Sequence, residues 1–420
     1  MGAEGVDEVA GAAPRRRFRH GFLARGTGQL ALQSSHVPPA ACAAFLACGL
    51  LSLDFRMQAE LPEADHHAAA PLSAAQIAAF WTEFSGQLAA WKALDGRAFV
   101  ESANALLKRQ APGLSLELEG APAQAGARLV VTAHGNIEQF ENAQALVRLA
   151  PRLDGYTVQV FRSRTASSNF AMGMQDFELS CDDVLVAPYD AGGIIGLELA
   201  FAKAVPDAMQ EHARHMAFIL LDHVLGEWDF SVRVGPVDFV EAAAEASPLS
   251  QFPAVFDAFQ REVLGRTYRF PQEENDRWIS LEVRSRDADE DDAPDLLTFH
   301  DSAHALATRA DLSYFLTLRI PIDSQESLDS ARDAQDALDA ELLRQQRGIL
   351  AFTRMEGMDF RVAAFYVDDP DAAVQLARQL AAEHAPGLEV ALALEYDPSW
   401  REYLGMYGAI HRQDRQADQA

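Results

Sequence analysis

One phrase recurs three times along the chain and limits what it can fold into. "LLKRQAPGLSLELE" ends a helical period, turns at Ala111-Pro112-Gly113 and enters an alternating strand pattern. "LVRLAPRLDGYTVQV" does the same at Ala150-Pro151, and "LAAEHAPGLEVALALE" does it at Ala385-Pro386-Gly387. Proline disfavours helical geometry in the residue before it and has no amide to donate, so each helix stops at the alanine. Three such corners predict a duplicated α/β unit. With 420 residues the chain exceeds one ordinary core and suits two or three domains.

The duplication extends upstream of the corners. "RLVVTAHGNIEQFENAQALVRLAP" (Arg128 to Pro151) and "RVAAFYVDDPDAAVQLARQLAAEHAP" (Arg361 to Pro386) both read strand, turn, helix, Ala-Pro corner. The first turn is His134-Gly135-Asn136 and the second is Asp368-Asp369-Pro370. Asn136 and Asp369 suit helix caps, and Pro370 suits a first helical turn. The turn geometry is shared and the reactive group is not. His134 is therefore read as part of a bend, not as a nucleophile's base or an anion site.

Residues 1–71 read as an N-terminal extension, disordered or added by an upstream start assignment. Residues 1–56 are irregular and rich in Ala, Gly and Arg, so Met57 is the expected natural start, with Met1 the alternative. Residues 72–245 form the first α/β module. Ser73 and Gln76 make a capping box for a helix with Ile77, Phe80, Trp81, Phe84, Leu88 and Trp91 on one face. Residues 97–162 follow as helix–strand–strand–helix–strand. Then come a strand in "GGIIGLELAF", a helix over Asp207–Leu225 and a strand in "WDFSVRVGPVDF". Residues 246–275 read as a linker with a helix near Ala254–Leu264. Residues 276–408 form the second module. It holds a hairpin from "RWISLEVRSRD" and "LLTFH", followed by strand, helix, two strands about Glu356-Gly357, helix and strand. That order is βαββαβ, the ferredoxin-like arrangement. Residues 409–420 read as a disordered tail. The expected class is α+β, two tandem α/β modules with the C-terminal one ferredoxin-like, and residues 270–420 are expected to fold alone.

From about Trp278 to Tyr403 the chain resembles a bacterial family called domain of unknown function 695. The carriers are "RWISLEVR", "ALATRADLSYFLTLRIPI" with the Asp-rich helix after it, "FRVAAFYVDDPDAA" and "EYDPSWREYL". The stretch from "FWTEF" through "LVVTAHGN" to "VQVFR" resembles the N-terminal module often found with that domain. Some relatives attach a domain similar to the ribonuclease E inhibitor family, for which this chain leaves no room. The resemblance implies no catalytic residues.

The net charge of -27 repels phosphate backbones and argues against nucleic-acid binding; it suits a basic protein partner. Cys42, Cys48 and Cys181 form no paired framework, which fits a reducing cytoplasm. No run reaches the ~18 apolar residues of a spanning helix, and "AACAAFLACGLLSL" (Ala40 to Leu53) lacks a basic region directly before it. No membrane partner and no cofactor are expected. Oligomeric state stays open.

Several groups carry side chains suited to chemistry. "EHARH" puts His212 and His215 one turn apart, with His223 further along and Glu211 and Asp222 nearby. Three imidazoles could hold Zn²⁺ or Ni²⁺, but the order is not H-E-x-x-H and supplies no general base. "FHDSAH" offers His300 and His304, a ligand pair only if helical. "DADEDD" (Asp287 to Asp292) lacks the glycine and the bidentate glutamate of a calcium loop. "AGGIIG" leads into a strand, not a helix N-terminus, so it reads as a hairpin turn. Cys181 lies beside Asp182 and Asp183, which suppress a thiolate. Tyr396, Trp400, Tyr403 and Tyr407 make an aromatic stripe, with packing the expected role and partner anchoring the alternative. His134, His212, His215, His223, His300, His304, Trp400 and Tyr403 are thus weak candidates for a ligand or partner surface. The expected function is a non-enzymatic cytoplasmic interaction or regulatory protein. The alternative is a hydrolase or other enzyme, metal-dependent or not, built on a histidine/carboxylate cluster.

Overall fold

The computed structural model describes residues 70–165, 170–174, 177–283 and 294–417. The expectations for residues 1–69, including the start at Met57 and the run from Ala40 to Leu53, lie outside those residues, as does the Asp287–Asp292 loop.

Helix α1 (Ala74–Trp91) begins at the Ser73/Gln76 capping box. It buries Phe80, Trp81, Phe84 and Trp91 against Phe99 of α2 (Gly96–Gln110). Their rings meet edge-on at 4.8–6.4 Å, the geometry aromatic quadrupoles favour. Strand β1 (Ser115–Glu119) pairs antiparallel with β2 (Ala127–Thr132). Helix α3 (Phe140–Arg148) then returns the chain to β3 (Tyr156–Val160), which lies parallel to β2. Asn136 accepts from the Glu138 amide and starts the short 3-10 turn before α3, as the bend reading requires.

Next come β4 (Ala171–Met174) and β5 (Phe177–Ser180), an antiparallel pair, then β6 (Val184–Asp190) and β7 (Ile195–Phe201). The turn between β6 and β7 holds Gly192 and Gly193 at φ 96° and 92°, and the Asp190 carboxylate accepts both their amides. Helix α4 (Gln210–Leu225) is followed at once by α5 (Glu227–Arg233), then by β8 (Val234–Phe239), β9 (Ser247–Pro248) and α6 (Phe252–Glu262). The order β8-β7-β6-β9 makes a second sheet. "WDFSVRVGPVDF" is thus half helix, because Phe230 and Val232 bury on a helical turn after Gly226. Residues 246–275 are no linker. Leu249, Phe252, Phe256 and Leu264 enter one core with Val186, Leu197, Met216 and Leu220.

The remaining strands are β10 (Trp278–Val283), β11 (Asp295–His300), β12 (Tyr314–Pro321), β13 (Gly348–Glu356), β14 (Phe360–Val367) and β15 (Ala391–Tyr396). Helix α7 (Gln325–Gln345) joins β12 to β13, and α8 (Pro370–His384) joins β14 to β15. The sheet order is β10-β11-β13-β14-β12-β15. Asp369 accepts from the Ala372 amide and caps α8, with Pro370 in its first turn. Helix α9 (Arg401–Ala417) ends the described chain. The chain is mixed α+β with several sheets.

Two compact units divide these elements, and neither is contiguous. One holds residues 70–270 with His304–Phe315 and residues 395–417; the other holds residues 271–303 and Leu316–Leu394. The division near Phe270 lies inside the expected 241–275 window, but two later segments return to the first unit. Trp400 and Tyr403 are completely buried, and the Trp400 indole donates to the Leu312 carbonyl at 2.7 Å. Residues 270–420 therefore fall in both units, where one module was expected. Nor does the helix stop at residue 408, where a tail was expected: α9 runs on to Ala417.

Candidate functional site

Strands β2 and β3 run parallel, so both end on the same side of their sheet. Just past those ends the backbone is strained: His134 has φ 51°, Gly135 79° and Phe161 63°. Left-handed geometry is costly for a residue with a Cβ and persists only where surroundings impose it. The imposing group is Glu227, the first residue of α5, fully buried at 0% exposure. One carboxylate oxygen accepts the amides of Ala133 (2.9 Å) and Gly135 (3.1 Å); the other accepts the Arg162 amide (3.3 Å). One side chain thus pins both turns.

Arg162 fills the space between them. Its Nε donates to both oxygens of Glu117 at 3.1 and 3.0 Å, and its Nη1 pairs with Asp222 near the end of α4. Nη2 donates to the Thr132 hydroxyl at 3.3 Å and lies 3.3 Å from His134 Nδ1. A guanidinium only donates, so Nδ1 must accept and the His134 proton sits on Nε2. Burial first, and the Arg162 charge second, hold His134 below its usual range.

Three carboxylates around one guanidinium leave excess negative charge. Burial pushes Asp222 up to about 6 against the pull of Arg162, and burial likewise raises Glu117. Burial pulls Arg162 down, but Asp222, Glu117 and Glu227 together outweigh it and hold the guanidinium above its usual value. His223, edge-on to Phe170, is pushed down to about 4 by burial and then by Arg162. The group is most open at Glu117 and His134, whose side chains are 27% and 14% exposed and 4.0 Å apart. At 4.0 Å from Glu117, with Nδ1 turned to Arg162, the imidazole makes no hydrogen bond to that carboxylate.

Gly226 sets how closely α4 and α5 approach this turn. It has φ 79°, and a Cβ there would lie 2.9 Å from the Arg162 carbonyl oxygen. Gly226→Ala is expected to cost at least about 2 kcal/mol in a urea melt. An unchanged midpoint would mean that the loop yields freely.

The other candidate histidines do not join this site. His212 is exposed on α4, and His215 is held low by burial and then by His212. His300 ends β11, with Nδ1 2.7 Å from the Leu350 carbonyl, Nε2 2.6 Å from Asp276, and the Trp278 ring stacked on it at 4.0 Å. His304 lies in a 3-10 turn (Asp301–Leu306), stacked on Tyr407 at 3.8 Å. Trp400 and Tyr403 are wholly buried and offer no partner surface. Cys181 is free and buried, and burial chiefly raises its thiol. Among the described residues no group of three or more His, Cys, Asp or Glu is arranged to hold a metal ion.

Arg162, Glu117 and Glu227 were not singled out from sequence, because they are separated by tens of residues and follow no spacing. One signal was available: Asp222 in "FILLDHVL" has Phe218, Ile219 and Leu225 as its helical neighbours, and a charge on an apolar helix face needs a buried partner. No protein-family model, curated protein or solved structure matches the chain.

Proposed function

We propose that the protein is a non-enzymatic interaction or regulatory protein of the cytoplasm that engages a basic protein partner through the edges of its six-stranded sheet. The observation that carries this reading is the state of those edges. Strands β10 and β15 end the sheet order, and apolar side chains stand exposed on or beside them: Trp278 38%, Val283 38%, Leu296 43% and Leu394 41%. An edge strand offers unpaired amides and carbonyls to an incoming strand, and apolar side chains alongside add contact area. The charge of -27 favours a basic partner over nucleic acid. No described helix is long and apolar enough to cross a membrane.

The same reading takes the chain as two α/β modules, the second ferredoxin-like. The sheet order β13-β14-β12-β15, with α7 and α8 as the crossovers, supports that assignment. Kinship with the family called domain of unknown function 695 is part of the proposal and rests on the sequence phrases alone.

A second reading, a hydrolase or other enzyme using a histidine/carboxylate cluster, is favoured by one observation: His134, Glu117 and Arg162 meet at a strained, partly open turn. Capture from native cytoplasm separates the two. Full-length wild type, Val283→Lys, Leu394→Lys and His134→Ala are compared as bait, since an edge lysine blocks strand addition. One of the edge variants is expected to lose at least about tenfold of the captured partner while its melting temperature holds. Full capture by both, with loss only in His134→Ala, would overturn the edge reading.

A further inference from the structure

A second buried cluster, distinct from the Arg162 group, lies where α9 meets the turn between β6 and β7. Arg266 is 3% exposed and has no carboxylate partner among the described residues. Its guanidinium donates to the Ala307 carbonyl at 2.6 Å, the Thr308 hydroxyl at 3.0 Å and the Gly193 carbonyl, while its Nε has no acceptor. Arg233 reaches the same stretch, 3.4 Å from the Thr308 carbonyl, with its guanidinium 4.7 Å over the Tyr268 ring. The Nε of Arg233 and the Tyr268 hydroxyl are also buried without a partner.

His304 completes the group. It is 7% exposed, and neither ring nitrogen makes a hydrogen bond of good geometry, although the Leu264 backbone lies close. A Cβ on Gly193 would come within 3.0 Å of His304 Cε1 and 2.6 Å of the Tyr407 ring, so the glycine whose carbonyl holds Arg266 also touches His304. Burial first, then the Arg266 charge, keep His304 well below its usual range.

The unmatched groups have a common chemistry. The two Nε atoms and the phenol are donors and the neutral imidazole has one donor; Arg233 is paired with Asp229 at 2.6 Å, and Arg266 is the cation left without a carboxylate among the described residues. Burying a cation without a counter-charge is strongly unfavourable, and so is burying donors without acceptors. A negative acceptor satisfies both at once. The tight packing at Gly193 argues for a compact one over a polyatomic ion.

We propose that Arg266, Tyr268 and His304 bind one small monovalent anion of the halide class inside the first unit. Such an ion would tie the loop after α6, the turn carrying His304 and, through the Tyr407 stack, α9. It would therefore act as a stabilising ligand.

The test uses the full chain exchanged into sodium gluconate, whose anion is too large to enter. Sodium chloride or bromide is added at constant ionic strength. Melting temperature is expected to rise saturably by about 3 °C. Tyr268→Phe should at least halve that rise; if it does not fold, His304→Gln carries the comparison. Bromide-soaked crystals should show an anomalous peak within about 3.5 Å of Arg266 Nε. Equal melting in gluconate and chloride, an undiminished rise in the variant, or bromide only at the surface as an adventitious ion only, would each overturn the proposal.

Discussion

Arg162→Met is expected to destabilise the protein by about 3–5 kcal/mol. The substitution keeps most of the side-chain length and removes the charge. Glu227 at 0%, Asp222 at 7% and the partly exposed Glu117 would then face one another without a cation. Breaking a buried pair costs more than the pair contributes, because the remaining charges have lost both water and partner. The loss should appear in a urea melt at neutral pH. Adding Asp222→Asn and Glu117→Gln to Arg162→Met should recover part of it, since fewer carboxylates are left stranded. A loss under about 1 kcal/mol would mean that water reaches these carboxylates and that the group is no joint between β3, α4 and α5.

The second large effect is on pH dependence. The folded pKa of Asp222 is raised from 3.8 to about 6. Between about pH 4 and 6 the folded chain keeps a proton that the unfolded chain has released. Stability from this group is therefore lost as pH rises through that window and is level above about 7. Asp222→Asn lacks the loss, so it should gain on wild type across the window, on the order of 2 kcal/mol. His223 works the other way. Its folded pKa falls from 6.5 to about 4, so the unfolded chain holds the extra proton and stability rises with pH through that range. His223→Gln should therefore lose ground to wild type as pH rises. Urea melts of all three proteins at pH 4.5 and 7.5 give the comparison. Parallel behaviour of the variants and wild type would contradict the burial assigned to both groups.

How much of this was legible in the sequence follows from the range of each interaction. Ser73 with Gln76, Asp369 with Pro370, and the corners at Ala111 and Ala385 act within a few residues and are found where local chemistry puts them, while α3 ends at Arg148, just before the Ala150 corner. The corner at Ala111 is the clearest case: α2 ends there and Gly113 follows at φ 90°. The short strands β4, β5 and β9 carried too few residues to show a period. Helix α5 was read as strand because seven residues show barely two helical turns of pattern. The division into units was harder still. Trp400 and Leu312 are 88 residues apart, and no spacing rule links them. The same holds for the Arg162 site. His134 was noticed as a turn residue, and it is one, but its neighbours Arg162, Glu117 and Glu227 arrive from different elements. A sequence shows which charges are surrounded by apolar residues; the fold decides which of them meet.

The edge reading is tested most directly by amide hydrogen exchange on the full chain, alone and with its captured partner. Strand addition fixes the outward amides of an edge strand in new hydrogen bonds, so exchange must slow there and nowhere remote. The account predicts at least about tenfold slowing in peptides covering residues 278–283 or 391–396, with residues 132–136 unchanged. Slowing confined to residues 132–136 and the stretch around Arg162, with both edge strands unprotected, would contradict it and point to the His134 turn as the working site.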